Sequence, residues 1–509
     1  LNLETGTLFS LAVYFIAMLA IGYYAYKKTT NDVSGYMLGG RSLSPSITAL
    51  SAGASDMSGW MLMGLPGAIY VSGVSQIWIA VGLLIGAYLN YIIVAPRLRT
   101  YTVVANDSIT IPDYFANRFD DKARVLRVFS SLVIIIFFTL YTSASLVAGG
   151  KLFASEAFGM DYHLGLWVTA GVVCAYTLFG GFLAVSMTDF VQGVIMFVAL
   201  VLVPAVAFYE LGGIAETTTM VQSINPNFTE LFRDAAIADP LLNQLSILGI
   251  ISLLAWGLGY FGQPHIIVRF MAIRSLKDIP TARRIGIGWM LISILGALAT
   301  GFVGIAYVAQ TQMTLSDPET VFIIFSQFLF HPLITGFLLA AILAAIMSTI
   351  SSQLLVTSSS LTEDLYKAFL RRNASDAELV MIGRICVLLV SVVAIILAWN
   401  PDNTILGLVA NAWAGFGAAF GPVVILSLFW KRMNKHGALA GMVVGAATVL
   451  FWIYMPVLEN GATLSSWMYE IIPGFVLSTI AVVVVSLMTK QPSEELQATF
   501  DAMEQQLRQ

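Results

Sequence analysis

The sequence predicts an all-α polytopic membrane protein with about thirteen transmembrane helices. Three observations predict it. The 509 residues are 58% hydrophobic and only 11% charged, with a mean hydropathy of +0.84, whereas soluble domains average about 25% charged residues. Apolar segments long enough to span a bilayer recur at 6–26, 46–70, 74–96, 126–153, 162–183, 188–210, 245–267, 285–309, 333–362, 380–399, 404–429, 438–456 and 469–489. Positive charge sorts by side. With the N-terminus outside and the C-terminus inside, only Lys151 and Arg233 of the 25 Lys and Arg residues fall on outer connections, which is the bias cytoplasmic loops carry.

The first segment has no basic run ahead of it and reads as a span, not a cleaved signal peptide. The second is interrupted by Ser51-Ala52-Gly53-Ala54-Ser55-Asp56-Met57-Ser58-Gly59-Trp60. Glycines and small residues weaken a helix, and carbonyls freed at membrane depth are tolerated only around a protein-lined or water-lined site. Helix packing explains Gly53 and Gly59 but not Asp56. A carboxylate near mid-membrane costs from ~3 kcal/mol upward and persists where it faces a cavity or partner. The inner connection that follows holds Asp107 to Asp113 and then a charged amphipathic stretch, read as a short interfacial helix. The outer connection 211–244 is polar and acidic.

The seventh segment carries a matching interruption, Ala255-Trp256-Gly257-Leu258-Gly259-Tyr260-Phe261-Gly262-Gln263-Pro264. Spans two to six and seven to eleven form two groups of five, each opening on a broken span. Five is odd, so the groups have opposite orientations, and such a pair of interrupted segments points to a secondary transporter's binding site. The expected architecture is therefore a five-plus-five inverted-repeat core with two discontinuous helices. Its first repeat covers 42–210 and its second 245–430. Residues 1–30 form a first peripheral helix, 437–490 two more, and 491–509 a cytoplasmic tail. Trp256 and Tyr260, four apart, share a face if the backbone there stays α-helical. The segment 317–331 opens on Asp317-Pro318-Glu319-Thr320 and reads as an outer helical cap too short to span.

In the ninth span, Ser348 and Thr349 lie three and four residues after Ala345, so one carbonyl and two hydroxyls converge on one helix face. Neutral oxygens suit a hard alkali cation. Helix-packing glue is the competing reading of the same hydroxyls.

Other chemistries find little support. Cys174 and Cys386 both sit in apolar segments, which argues against a disulfide framework. His163, His265, His331 and His436 show no metal-ligand spacing, and no nucleophile arrangement indicates an enzyme. A net charge of −4 without basic runs excludes a nucleic-acid partner. A channel would line a continuous pore with charges or carbonyls, whereas here the polar groups cluster at mid-membrane.

At these residues the chain resembles the sodium/solute symporter family, most closely its sodium/proline branch. The resemblance runs from about Tyr36 to Lys490. It rests on Leu38-Gly39-Gly40-Arg41-Ser42-Leu43, Ser51 to Trp60, Tyr176 to Ala184, Trp256 to Pro264, Ala341 to Ser352 and Trp413 to Pro422. It implies alternating access and sodium-coupled uptake of L-proline at a bacterial inner membrane, with Na+ as the coupling ion. The bilayer is then the one further partner, and no obligatory protein partner is expected. The sodium site it implies joins the carbonyls of Ala54, Met57 and Ala345 to the hydroxyls of Ser348 and Thr349, with Asp56 touching the ion or acting one layer out. For substrate it points to Ser58, Gly59, Tyr141, Trp256, Tyr260 and Pro264, and for gating to Arg41 and Asp189. Coupling through a proton on Asp56 is the alternative within transport.

Overall fold

The computed structural model describes residues 3–29 and 32–509, apart from the side chains at positions 176, 179 and 180. Residues 1, 2 and 30 of the expected first unit, and three side chains of the 176–184 motif, therefore lie outside the described residues. Twenty α-helices follow one another, and no β-strand occurs among the described residues. Among the described residues, ten helical runs are long and apolar enough to cross a membrane, eleven when one bent pair counts as a single span. The thirteen expected segments are not all found as separate spans: Tyr162–Ala175, in the fifth of them, is a shorter apolar helix. The helical run from Trp60 to Val104 is unbroken by this measure, although it contains the end of the second expected span and all of the third.

After α1 (Thr5–Lys28) and the short α2 (Val33–Leu38), the second span begins with α3 (Pro45–Asp56). Ser44 caps it by accepting from the Ile47 N–H, and Pro45 sits in the first turn, where a missing N–H costs nothing. The helix stops at Met57, and a π-helical turn from Trp60 to Gly64 leads into α4 (Leu65–Ser72). Helices α5 (Ile77–Ile93) and α6 (Ala95–Val104) bring the chain to the connection at 105–110. There a short helix, α7 (Ile111–Phe119), forms in the amphipathic stretch, capped by Thr110 accepting from Asp113 N–H at 3.0 Å.

Helix α8 (Val125–Ala154) precedes α9 (Tyr162–Glu210), which covers two expected spans in one run. The break between them falls at Gly181 (φ 60°, ψ −147°), inside the expected 162–183 segment. Only glycine takes that conformation at little cost, and a Cβ there would lie 2.6 Å from the Tyr36 ring. The acidic connection 211–244 contains a helix the sequence did not announce, α10 (Ile214–Ile224).

The seventh span is α11 (Ile247–Leu254), a 3₁₀ stretch Ala255–Gly262, and α12 (Pro264–Ala272), bent by 44° at Gln263. It packs on α5 through glycines: a Cβ on Gly86 would meet the Gly257 carbonyl oxygen at 2.2 Å. Such backbone approach is how small residues hold membrane helices together. Then come α13 (Ile279–Thr311), the cap helix α14 (Val321–Phe328), and α15 (Pro332–Ser359) with its π-helical extension Ser360–Leu370. Asp317 starts the cap by accepting from Glu319 N–H at 3.0 Å. Helices α16 (Asp376–Leu397), α17 (Ile405–Phe429), α18 (Lys435–Tyr454) and α19 (Ile471–Met488) complete the bundle. The tail forms α20 (Glu494–Arg508), which buries Phe500 and Met503 and pairs Asp501 with Lys431 at 2.9 Å.

Candidate functional site

The two interrupted spans meet at their breaks. Where α3 ends, Met57 N–H still bonds the Gly53 carbonyl at 2.8 Å, but Ser58 N–H turns back to Asp56 O at 2.9 Å. The Trp60 indole N–H also donates to Asp56 O, at 3.1 Å. The Asp56 side chain is 2% exposed. Its Oδ2 accepts from the Tyr260 hydroxyl at 2.5 Å, while its Oδ1 is buried with no hydrogen-bond partner among the described residues.

On the other side of α3 lies α15. Ser348 Oγ donates to Ala54 O at 2.6 Å and stands 3.1 Å from Ala345 O. Thr349 Oγ1 donates to Ser55 O at 3.0 Å and stands 3.2 Å from Ala345 O. Four of the five expected ion ligands, Ala54, Ala345, Ser348 and Thr349, thus share one buried patch. Met57 is buried at the same break. Ser55 O joins the cluster, although the sequence reading did not include it. Carbonyl and hydroxyl oxygens so grouped form a donor set suited to a hard monovalent cation.

The expected substrate residues surround the break. Ser58 and Gly59 are part of it. Tyr141 is fully buried, its hydroxyl without a hydrogen-bond partner among the described residues, and its ring lies edge-on to His265, centroids 5.7 Å apart. Pro264 opens α12 and is buried. Trp256 and Tyr260 do not share a face as expected for an α-helix. Their segment is 3₁₀, with three residues per turn, so positions four apart diverge by about a third of a turn. Trp256 packs on Tyr469 (5.4 Å) and Tyr260 stands edge-on to Trp413 (4.9 Å). Trp413 also donates its indole N–H to Trp256 O at 2.7 Å.

Arg41 and Asp189 lie in separate networks. Arg41 bonds Asp107 (3.1 Å), Met271 O (2.7 Å) and Ser108 O (2.6 Å). Burial pulls its pKa down from the ordinary value, and the Asp107 carboxylate opposes that shift. Asp189 is paired instead with Arg269, Nη2 to Oδ2 at 3.0 Å, both side chains at most 1% exposed. Arg269 also donates to Ser51 Oγ (3.0 Å), to Ser352 Oγ (2.7 Å) and to His265 O (2.5 Å). It therefore binds α3, α9 and α15 together one turn along α15 from the hydroxyl cluster. The charge-sorting argument treats Arg269 as a loop residue; it lies inside α12. The signal that could have found it is an arginine five residues past Pro264, at a distance where a broken span has not yet reached the surface.

Residues 36–445 match the model of the sodium:solute symporter family. The osmoregulated proline transporter OpuE of Bacillus subtilis (strain 168) is 60% identical over 98% of this chain and 98% of its own. Sodium/proline symporter 2 of Staphylococcus saprophyticus is 55% identical over 98% of this chain and 96% of its own. Among solved structures, a Na+-coupled sialic acid symporter in a substrate-bound outward-open state superimposes with a TM-score of 0.79 at 20% identity, covering 96% of this chain and 99% of that one. This multi-pass membrane chain belongs to the sodium:solute symporter family.

Proposed function

We propose that the protein is a secondary transporter that takes up L-proline together with sodium by alternating access. The observation that carries the reading is the placement of Ser348 and Thr349 against the carbonyls of Ala54, Ser55 and Ala345 across the break in the second span. These oxygens are neutral and keep no titratable proton, which favours an alkali cation over a proton as the coupled ion. Sodium bound there would hold α3 and α15 together and fix the shape of the broken segment, so that sodium and proline each tighten the other's binding. The names of the 55–60% identical relatives support proline as the organic solute.

In this reading Ala54, Met57, Ala345, Ser348 and Thr349 hold the ion, with Asp56 touching it or acting one layer out. Ser58, Gly59, Tyr141, Trp256, Tyr260 and Pro264 line the proline site. Asp189 and Arg41 serve the inner gate, now with Arg269 as the direct partner of Asp189. Thirteen spans, inverted repeats at 42–210 and 245–430, an outer N-terminus and an inner C-terminus in a bacterial plasma membrane complete the proposal.

The test is proteoliposome uptake of labelled proline with sodium and proton gradients imposed separately. A sodium gradient alone should drive accumulation. Accumulation driven by a proton gradient alone would move coupling to Asp56.

A further inference from the structure

Helix α5 brings a polar side chain to the break in the second span. Gly82, Gly86 and Asn90 follow one another at four-residue spacing and so share one side of the helix. The two glycines pack backbone on backbone with the seventh span: a Cβ on either would run into a carbonyl oxygen there, Leu254 O for Gly82 and Gly257 O for Gly86. One turn further on, Asn90 lines a cavity of about 30 Å³ together with Asp56, Tyr91 and Tyr260. The contact that holds α5 to the seventh span therefore also fixes where Asn90 stands relative to Asp56.

Asn90 is 1% exposed, and its Oδ1 has no hydrogen-bond partner among the described residues. The same holds for Asp56 Oδ1. A polar side chain can sit between membrane helices only as packing glue, but glue bonds across the interface, and this oxygen makes no such bond among the described residues. An unmet acceptor inside the protein costs stability that an apolar side chain of the same size would not. Two acceptors on one cavity also repel each other, and a group with two donors between them satisfies both. A water needs roughly 10–15 Å³ and two to four polar partners, and the cavity offers both. The Tyr91 hydroxyl, which lies against Gly286 on the same wall, can serve as a third partner. The rest of the wall, Ala52, Ile266 and Met290 among it, is apolar, which leaves a bare cation short of ligands but suits a water.

We propose that this cavity holds an ordered water joining Asn90 Oδ1 to Asp56 Oδ1, and that Asn90 is a positioning residue for sodium coupling. The water donates one hydrogen bond to each oxygen. Tyr260 already holds Oδ2, so the water completes the fixing of the Asp56 carboxylate at the end of α3. Because Asn90 is carried by α5, the affinity for sodium depends on how α5 sits against the seventh span. The assignment rests on sodium as the coupled ion.

The test uses the purified full-length carrier. Sodium dependence of proline binding is measured first on the parent, so that loss of the coupling reading and loss of this assignment are read apart. Asn90→Leu removes the acceptor and fills the space of the water. It should raise the sodium concentration for half-maximal proline binding at least about fivefold. Proline affinity at saturating sodium should stay within about twofold of the parent, as linkage through sodium requires. Asn90→Ser keeps a hydroxyl and leaves room for water, so its sodium requirement should stay within about threefold of the parent. In an Asp56→Asn carrier, Asn90→Leu should add little, because the two positions act through one contact. An unchanged sodium requirement in Asn90→Leu would overturn the assignment, as would the same fold-change with and without the Asp56 carboxylate. A fall in the number of sodium ions bound per carrier at saturation would overturn it too, by putting a cation in the cavity in place of water.

Discussion

The Tyr260 hydroxyl donates to Asp56 Oδ2 at 2.5 Å, and this one bond crosses from the 3₁₀ stretch of the seventh span to the end of α3. The same carboxylate keeps a second oxygen buried and without a described partner. Asp56 therefore ties the two broken spans together through one oxygen and keeps the other buried with no hydrogen-bond partner among the described residues.

A hydrogen bond to a charged group contributes ~1.5–3 kcal/mol, roughly a ten- to hundred-fold change in an equilibrium. Asp56→Asn and Tyr260→Phe should each raise the sodium concentration needed for half-maximal proline binding by at least about tenfold, with normal insertion. Because they act through one bond, the double variant should fall well short of the sum of the two singles. Strict additivity, or parental sodium activation in Asp56→Asn, would separate Asp56 from ion coupling.

Ser348→Ala and Thr349→Ala should act through sodium and only indirectly on proline. Each removes a hydroxyl that bridges α15 to an α3 carbonyl. At subsaturating sodium proline binding should weaken, and at saturating sodium it should largely recover, as linkage requires. Titrating proline at several fixed sodium concentrations reads this out. A proline defect of equal size at every sodium concentration would place these hydroxyls against the substrate.

The convergence of Ala345, Ser348 and Thr349 was legible in the sequence because it is local: positions i, i+3 and i+4 of one helix meet whatever surrounds them. The broken spans were legible for the same reason, from glycines and a proline inside apolar runs. The Asp189–Arg269 pair was not, because its members are 80 residues apart and the topology that joins them is not written in either segment. Arg269 was further disguised by a rule that sorts charges into loops. Trp256 and Tyr260 were misplaced relative to each other because three glycines allow a 3₁₀ winding that residue spacing alone does not announce.

The Asp189–Arg269 pair should tolerate joint neutralisation better than single loss. Removing one partner of a buried ion pair strands the other and costs about 3–5 kcal/mol. Asp189→Asn and Arg269→Gln should each lower the thermal stability of the purified carrier markedly. The double variant should recover a substantial part of it. Equal or deeper destabilisation in the double variant would show that Ser51, Ser352 and His265 O, and not the charge of Asp189, are what Arg269 mainly serves.

Gly59 separates backbone shape from space at the break. Its φ of −50° and ψ of −19° lie where any residue can sit, so nothing in the local backbone demands glycine. The demand is steric: a Cβ there would lie 2.8 Å from the Ala148 Cβ on α8 and 3.5 Å from Ile346 on α15. Overpacking of this kind costs typically ~1–3 kcal/mol, enough to shift the broken segment off its neighbours and weaken proline binding about tenfold or more. Ala148→Gly removes the colliding methyl, at ~1 kcal/mol for glycine in a helix interior. Gly59→Ala alone should thus insert normally but bind proline poorly. Gly59→Ala with Ala148→Gly should return apparent affinity to within a few-fold of the parent, measured by proline-dependent binding at saturating sodium. If the second substitution brings no recovery, the added methyl is colliding with the substrate itself, and Gly59 is glycine because proline lies against it.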